Sequence, residues 1–454
     1  VAWNIVYSSG IVAPAQNYGG YTPTLYAAPT AQGSGDGSNE ANAMAFSTAL
    51  SSAMAGDVIG LINDVFLNVA SPAYRSNVPG WHPSNSGSAG NPIVIVGKYN
   101  PVAMADPLTD ANRTELQAGS GSYGGSDSHP VFGANNRDYI TWVNIVCNED
   151  NCVTKSDNGP CYIADSTACT IDHCVIRGST NAYFAADNHS AIRIGEGGTT
   201  DTGHIISNNV MYNFTVGLST NAAAVITYGA QNTTIENNEV YDCTTGFYIK
   251  GTGSSNTTWN YGPITSNLIY SVSQGMRLEA VDPTHDVTAS NNLIYSFTGA
   301  GIVYGISAGA GNTRNIILSR NSIVATSATA NNGLYVKALT GTGNEVGDNI
   351  IAIYGTTGQN YIDGGEYTDN NFAGITYNGF YGSTDGTPWS WNGANQANVA
   401  AFESAATNAA NNQVLGADPF VNQGGGDYTV TGAALTASST GGPIGADFET
   451  VGPQ

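Results

Sequence analysis

The chain reads as an all-β protein, a right-handed parallel β-helix with an N-terminal capping helix, and three observations predict it. The first is a repeat: IISNNVMYN, IENNEVYD, ITSNLIYS, TASNNLIYS, ILSRNSIVA and VGDNIIAI share one form. Each runs from an apolar or β-branched residue through about two polar ones to an Asn, then into an alternating apolar strand. The aligned asparagines are Asn209, Asn238, Asn267, Asn292, Asn321 and Asn349, separated by 29, 29, 25, 29 and 28 residues. The second observation is a motif at the same period, TTGFYIKG, SQGMRLEA, GAGIVYGI and NNGLYVKA, a turn glycine followed by a strand whose first and third residues are apolar. The third is composition: Gly 57, Tyr 25 and only 10% charged residues beside 41% hydrophobic ones. That is too polar and β-tolerant for a helical protein and too apolar for a disordered one.

Two short strands and their turns, in fewer than thirty residues, cannot close a core alone, but stacked coils bury one. The recurring Asn suits an inward bend, where its amide can bond both the backbone and the Asn one coil above. Val143 and Cys174 take the same phase in earlier coils, so the ladder is expected to begin at Asn209.

Residues 39–55, NEANAMAFSTALSSAMA, place Ala43, Phe46, Leu50 and Met54 on one helical face, with Ser38 as N-cap and Gly56 as stop. DVIGL and NPIVIVGKY follow as the first strands. A helix at this position covers an end whose open strand edges would otherwise aggregate. Near the other end NVAAFESAA reads as a short helix, with DPFVN and GGGDYTVTG as irregular strands after it. The expected organisation is a cap and irregular coils over residues 1–130, regular coils over 131–365, and irregular coils with a second cap over 366–454.

Asp plus Glu number 34 against 12 for Lys plus Arg, a formal charge of −22. So acidic a surface repels phosphate backbones and anionic membranes, which argues against a nucleic-acid partner. No run approaches the ~18 apolar residues of a membrane span, so a soluble protein without membrane insertion is expected. A chain displaying Val1 fits a mature secreted protein or one that has lost an initiator Met, and the reading adopted is extracellular: secreted, cell-surface or virion-borne. Cys147, Cys152, Cys161, Cys169 and Cys174 fall in one segment, with Cys243 apart, open to disulfides or to buried thiols. Their spacing does not repeat as a zinc site would require. Five Asn-X-Ser/Thr matches, Asn112 and Asn256 among them, are what an Asn-rich chain contains by chance.

Counting from the turn glycine, positions one and three of the second motif (Phe247 and Ile249, Met276 and Leu278, Ile302 and Tyr304, Leu334 and Val336) must point inward. Positions two and four then point to solvent. These are Tyr248 and Lys250, Arg277 and Glu279, Val303 and Gly305, Tyr335 and Lys337, and AIRIG adds Arg193. Of six basic residues between 190 and 340, only Arg314 and Arg320 fall outside this phase. At ~4.8 Å per coil the set makes a stripe on the order of 24 Å long, enough for an extended glycan. Its cations would attract carboxylate or sulfate groups, Tyr248 and Tyr335 would stack on sugar faces, and Glu279 is a candidate ion-pair partner for Lys250.

For β-elimination from a uronic acid, Lys250 and Arg277 on consecutive coils supply a base and an acid, with Arg193, Tyr248, Glu279, Tyr335 and Lys337 binding substrate. A lysine base needs a depressed pKa, which a neighbouring Arg277 would provide. A hydrolase would instead use paired carboxylates, Glu149 with Asp150 or Asp363 with Glu366 and Asp369. The last group, in YIDGGEYTDNN, is also the better place for a possible Ca2+. His173 and His189 look isolated, and no nucleophile elbow or phosphate loop is present.

SGDGSNEANAMAFSTALSSAMAGDVIGL, the coils between about 135 and 355, and the trailer YNGFYG, VLGADPFVN, GGGDYTV and PIGADF together resemble the pectate lyase-like superfamily of right-handed parallel β-helices. The resemblance covers nearly the whole chain. It implies the fold, and a range of carbohydrate functions from lyases to tailspikes and adhesins. Lys250 with Arg277 is similar to the pair in the alginate lyase and chondroitinase B family, which acts on uronates beside calcium. TTGFYI stands where that family has an acidic pair before the lysine, and Arg277 is followed by LEA rather than His. The sequence therefore supports a carbohydrate-active protein that binds an acidic polysaccharide and cleaves it by elimination, a monomer in that case. The alternative is a non-enzymatic tailspike, fibre or adhesin, expected as a trimer or larger assembly.

Overall fold

The repeat folds because each coil supplies three short strands that pair, in parallel and in register, with the same strands of the next coil. The computed structural model describes residues 18, 20–62, 65–68, 80–98, 114–118, 130–149, 159–179, 189–195, 201–215, 221–250, 262–279, 287–305, 316–326, 332–337, 343–354, 359–364, 372–383, 386–406 and 408–452. They divide into two compact units, Val1–Arg193 with Thr200–Leu218, and Ile194–Thr199 with Ser219–Pro453. The expected fold class holds: this is a parallel β-helix, right-handed as crossovers between parallel strands are.

In the first unit one ladder runs through Leu25–Ala28, Val58–Leu61, Ile93–Gly97, Ile140–Val143, Thr170–Asp172 and Ile205–Ser207. Another joins Val65–Asn68, Glu115–Ala118, Val146–Asn148, Val175–Arg177 and Val210–Phe214. The terminal helix is shorter than the periodicity implies. Asn39, not Ser38, caps a single 3-10 turn over Glu40–Asn42; Met44–Ala45 then pairs as a strand with Ala27 and Ala28, and the α-helix spans only Phe46–Ser52. Strand pairing overrides helical propensity here. Ala43, Phe46 and Leu50 are buried as expected, whereas Met54 lies 61% exposed beyond the helix. Phe46 packs its ring against Phe66 and Trp81 at 5.2 and 4.8 Å.

The cysteines described in this unit (Cys147, Cys161, Cys169, Cys174) are buried free thiols, as is Cys243 in the second unit. Cys152 lies outside the described residues. Burial pushes the Cys169 and Cys174 thiols up to about 12. The pairing of Val175 with Val146 puts Ile145, not Val143, in the phase of Cys174. Val143 ends the preceding ladder, opposite Asp172. Asn209 takes the ladder position as expected, its Oδ1 accepting the Cys174 N–H at 2.9 Å.

The second unit carries the asparagine ladder. Asn238, Asn267, Asn292, Asn321 and Asn349 are wholly buried, and Asn378 and Asn412 extend the series beyond the six read from the sequence. Asn292 shows the pattern: its N–H and Nδ2 both donate to Asn321 Oδ1 (3.1 and 2.9 Å), and Nδ2 also reaches Ile264 O and Ser290 O. The residue before each ladder Asn turns the corner in the left-handed region, Asn237, Ser266, Asn291, Arg320, Asp348, Tyr377 and Asn411 all having φ between 54° and 59°. The last amide meets a carboxylate: Glu403 Oε1 accepts from Asn412 N at 2.7 Å and Nδ2 at 3.0 Å. Glu403 belongs to the helix Val399–Ala405, capped by Asn398, where NVAAFESAA predicts one. Phe420–Asn422 and Asp427–Val430 are strands where DPFVN and GGGDYTVTG predict them, and they pair antiparallel.

After the Asn, each coil runs along a second ladder and turns at a glycine into a third. The corner needs glycine, because a Cβ on Gly275 would sit 2.4 Å from both Ile294 Cγ2 and Gly301 O. Glu239–Lys250 and Leu268–Leu278 run unbroken through this corner and pair over their whole length. The outer face of the second ladder is apolar at Leu293, Val324, Ile350 and Ala352, and the C-terminal trailer covers it with Leu415, Phe420, Tyr428, Ile444 and Ala446. That trailer runs back across successive coils, bonding Asp348 O, Ser322 Oγ, Asn291 Oδ1 and Ser266 O through the N–H groups of Gly445, Ala446, Asp447 and Gly452.

Candidate functional site

The third ladder of the second unit places the basic and aromatic side chains. Its registers align Ile226, Tyr248, Arg277, Val303, Tyr335 and Asp363 in one column. Two residues on, Tyr228 pairs with Lys250, and Glu279, Gly305 and Lys337 follow one per strand through N–H bonds to the residue before. The inward partners Phe247, Ile249, Met276, Leu278, Ile302, Tyr304, Leu334 and Val336 are all core residues, so the phase of the motif is as expected.

The expectation that the outward set faces solvent fails for four members: Tyr248 is 4% exposed, Glu279 5% and Val303 1%, and Gly305 is buried as well. Alternation along a strand sets direction, not cover, and these groups pack on one another. Glu279 does not pair with Lys250. Its Oε1 accepts from Arg277 Nε at 2.5 Å and forms an ion pair with the Nη2 of the same guanidinium, while its Oε2 accepts the Tyr248 hydroxyl at 2.9 Å. The Arg277 guanidinium lies over the Tyr248 ring, Cζ 5.0 Å from the centroid. With Arg277 above it and its rim buried, Tyr248 is not open to stacking on a sugar. Burial and the Glu279 carboxylate raise its phenol pKa.

Lys250 occupies a different setting. Its Nζ lies 3.5 Å from the Tyr228 hydroxyl, 4.9 Å from the Tyr228 ring centroid and 5.6 Å from that of Tyr248. Tyr228 was not singled out from the sequence, because AAAVITYG has no turn glycine to set its phase. Its pairing with Lys250 brings it to the site. The Tyr248 ring thus has two cations within 6 Å of its centroid, a contact that favours both.

Lys337 holds its ammonium 5.5 Å from the Tyr335 centroid and makes no ion pair among the described residues. Burial, then the charge of Arg277, lowers its pKa, with Glu279 opposing. Tyr335 is half-buried. Arg193 belongs to the first unit, over the Tyr162 ring at 5.9 Å.

The carboxylate alternatives look different in place. Glu149 is 1% exposed and bonded to His189 Nε2 at 2.6 Å, so His189 is not isolated. His173 bonds Asp172 at 2.8 Å. Asp363 Oδ2 accepts from Asn332 Nδ2 at 3.3 Å. Asp150, Glu366 and Asp369 lie outside the described residues. Calcium takes six to eight oxygen ligands, and Glu279, the carboxylate nearest the cations, already has both oxygens taken by Arg277 and Tyr248. Of the group in YIDGGEYTDNN where a Ca2+ is possible only Asp363 is described, and among the described residues no cluster of three or more His, Cys, Asp or Glu is placed to hold a metal. No helix among the described residues is long and apolar enough to cross a membrane.

No family model and no curated protein matches the sequence. Among solved structures, the chain is similar to the A-module of the mannuronan C-5 epimerase AlgE6 of Azotobacter vinelandii, with 11% identity over 80% of this chain and 92% of that one and a TM-score of 0.49. It is also similar to the PL6 family polysaccharide lyase Pedsa3628 from Pseudopedobacter saltans (14% identity, 88% and 97% coverage, TM-score 0.46). A third is a double mutant of the tailspike protein of E. coli bacteriophage HK620 (12% identity, 78% and 73% coverage, TM-score 0.43).

Proposed function

We propose that the outer face of the third ladder binds an acidic polysaccharide lengthwise and cleaves it by β-elimination, and that the protein works outside the cell. The observation that carries this reading is the grouping of Lys250, Arg277 and Lys337 on one face of a chain with a formal charge of −22. Glu279 engages only the Nε and Nη2 side of Arg277. The Nη1 side carries no hydrogen bond among the described residues, which leaves donors for a ligand carboxylate. A guanidinium bonded to a uronate carboxylate stabilises the charge that develops as the neighbouring C–H loses its proton. A lysine on the same face serves as base.

The test is the ultraviolet absorbance of newly formed unsaturated uronate over a panel of alginate, pectate and chondroitin, with calcium supplied and with Arg277→Ala as control. Activity in the wild type that falls by about 100-fold or more in Arg277→Ala supports the reading. Silence of the folded wild type across the panel sinks elimination for those substrates. Binding without cleavage, by a trimer in solution, would favour an attachment protein instead.

A further inference from the structure

A cavity of about 10 Å3 lies inside the second unit, walled by Ile235, Ile249, Ile264 and Val287 and by two threonines, Thr227 and Thr233. Both threonines are buried, at 2% and 5% exposure, and the Oγ1 of each has no hydrogen-bond partner. We infer that this cavity binds a single water molecule that bridges the two hydroxyls.

The register shows that the hydroxyls stand where other coils carry apolar groups. Thr227 pairs with Ile249, and the same inward column continues through Leu278, Tyr304 and Val336. The one other hydroxyl in that set, on Tyr304, donates to Ile316 O at 2.5 Å. In the neighbouring strands Ile235 pairs with Ile264, which sets Thr233 against Gly262, and the column runs on through Val287 and Ile316. A Cβ on Gly262 would lie 2.2 Å from Thr233 O, so that strand adds no side chain to fill the space.

A buried hydroxyl without a partner is destabilising, and valine would fill the same space without it, so two such threonines at one cavity point to a polar occupant. A cavity lined only by aliphatic groups stays dry, whereas a water needs at least two polar partners and ~10–15 Å3. Here it accepts from one hydroxyl and donates to the other, which satisfies both threonines. A metal ion does not suit the site, because no described carboxylate lines it and calcium takes six to eight oxygens. Thr227 and Ile249 directly precede Tyr228 and Lys250, so the bridge braces the inner side of the strands that carry the first cation of the stripe.

The test is a double-mutant cycle read by urea midpoints, together with a crystal structure of the wild type at a resolution that shows ordered water. One water within hydrogen-bond reach of both Thr227 Oγ1 and Thr233 Oγ1 is expected. The cycle should be non-additive: Thr227→Val and Thr233→Val each strand the other hydroxyl, so the double variant should be more stable than the two single shifts added together predict. If the hydroxyls instead stand alone, each valine removes an unsatisfied group, each single variant is more stable than wild type, and the shifts add. Additive shifts, or a wild-type crystal structure in which no water bonds both hydroxyls, overturn the assignment. Should a variant fail to fold, the crystal structure decides alone.

Discussion

Asn292→Ala tests whether the asparagine ladder is a main support of the second unit. The side chain donates from Nδ2 to Ile264 O, Ser290 O and Asn321 Oδ1, and its Oδ1 accepts from Asn267 N at 3.0 Å and Asn267 Nδ2 at 2.9 Å. Truncation leaves the Asn267 N–H, wholly buried, without its acceptor, which costs about 1–3 kcal/mol. The lost side-chain bonds add ~0.5–1.5 kcal/mol each where no partner is regained, although Asn267 Nδ2 keeps Ile235 O and Thr265 O. A total of about 3–5 kcal/mol is expected, read as a lower urea midpoint. Asn292→Asp should be worse at neutral pH, because it sets a carboxylate oxygen where Nδ2 faces three acceptors. A loss below about 1 kcal/mol for Asn292→Ala, or an Asp variant more stable than the Ala one, would refute a supporting role for the ladder.

Three further outcomes follow from the same contacts. Glu403→Ala strips the acceptor from Asn412 N and Nδ2 at the end of the ladder and should destabilise the second unit by about 1–3 kcal/mol, with Glu403→Gln milder because it keeps an acceptor oxygen; equal effects in thermal melts would contradict this. Glu279→Gln leaves the guanidinium of Arg277, whose side chain is 15% exposed, without its anion. A loss of about 3–5 kcal/mol is expected, and because Glu279 raises the Lys337 pKa, the variant's Lys337 should titrate lower still by NMR. Burial and neighbouring carboxylates raise the phenol pKa of Tyr248, Tyr270 and Tyr354. Their contribution to stability is complete below the ordinary tyrosine value of about 10 and declines above it, as the unfolded chain ionises first. Tyr354→Phe, which removes the bond to Asp418, should flatten that alkaline decline in pH-dependent urea midpoints, and an unchanged slope would count against it.

The ladder and the strand phases were legible because both recur, and recurrence shows in a single chain. Asn378 escaped the reading although ITYNGF repeats the motif 29 residues after Asn349, whereas the coil to Asn412 lengthens to 34 and blurs the period. Direction was legible at the outward positions, but exposure was not: Tyr248 and Glu279 point away from the core and are nevertheless buried by what packs on them. Glu279 chose Arg277 on its own strand over Lys250 on the strand before, and no one-dimensional pattern encodes that choice. Tyr228 was invisible for want of a turn glycine, and the trailer, though read as a segment, gave no sign of its path, because its bonds to Ser266 and Asn291 join residues far apart along the chain.

The corner that stabilises the fold also spaces the candidate chemistry. Gly246, Gly275, Gly301 and Gly333 turn each coil at the same point, so every third-ladder strand presents its second and fourth side chains one strand spacing beyond the last. Cations at Lys250, Arg277 and Lys337 fall on the first, second and fourth of four successive strands, and the third offers only Val303 and Gly305. The two lysines therefore stand at unequal distances from the one guanidinium. Lys250, one strand away, shares the Tyr248 ring with Arg277, whereas Lys337, two strands away, lies over the Tyr335 ring of its own strand. A regular scaffold thus yields unequal amines through what fills the intervening positions. On this account replacing Val303 with a larger aromatic side chain should weaken the coupling of Lys337 to Arg277 more than that of Lys250.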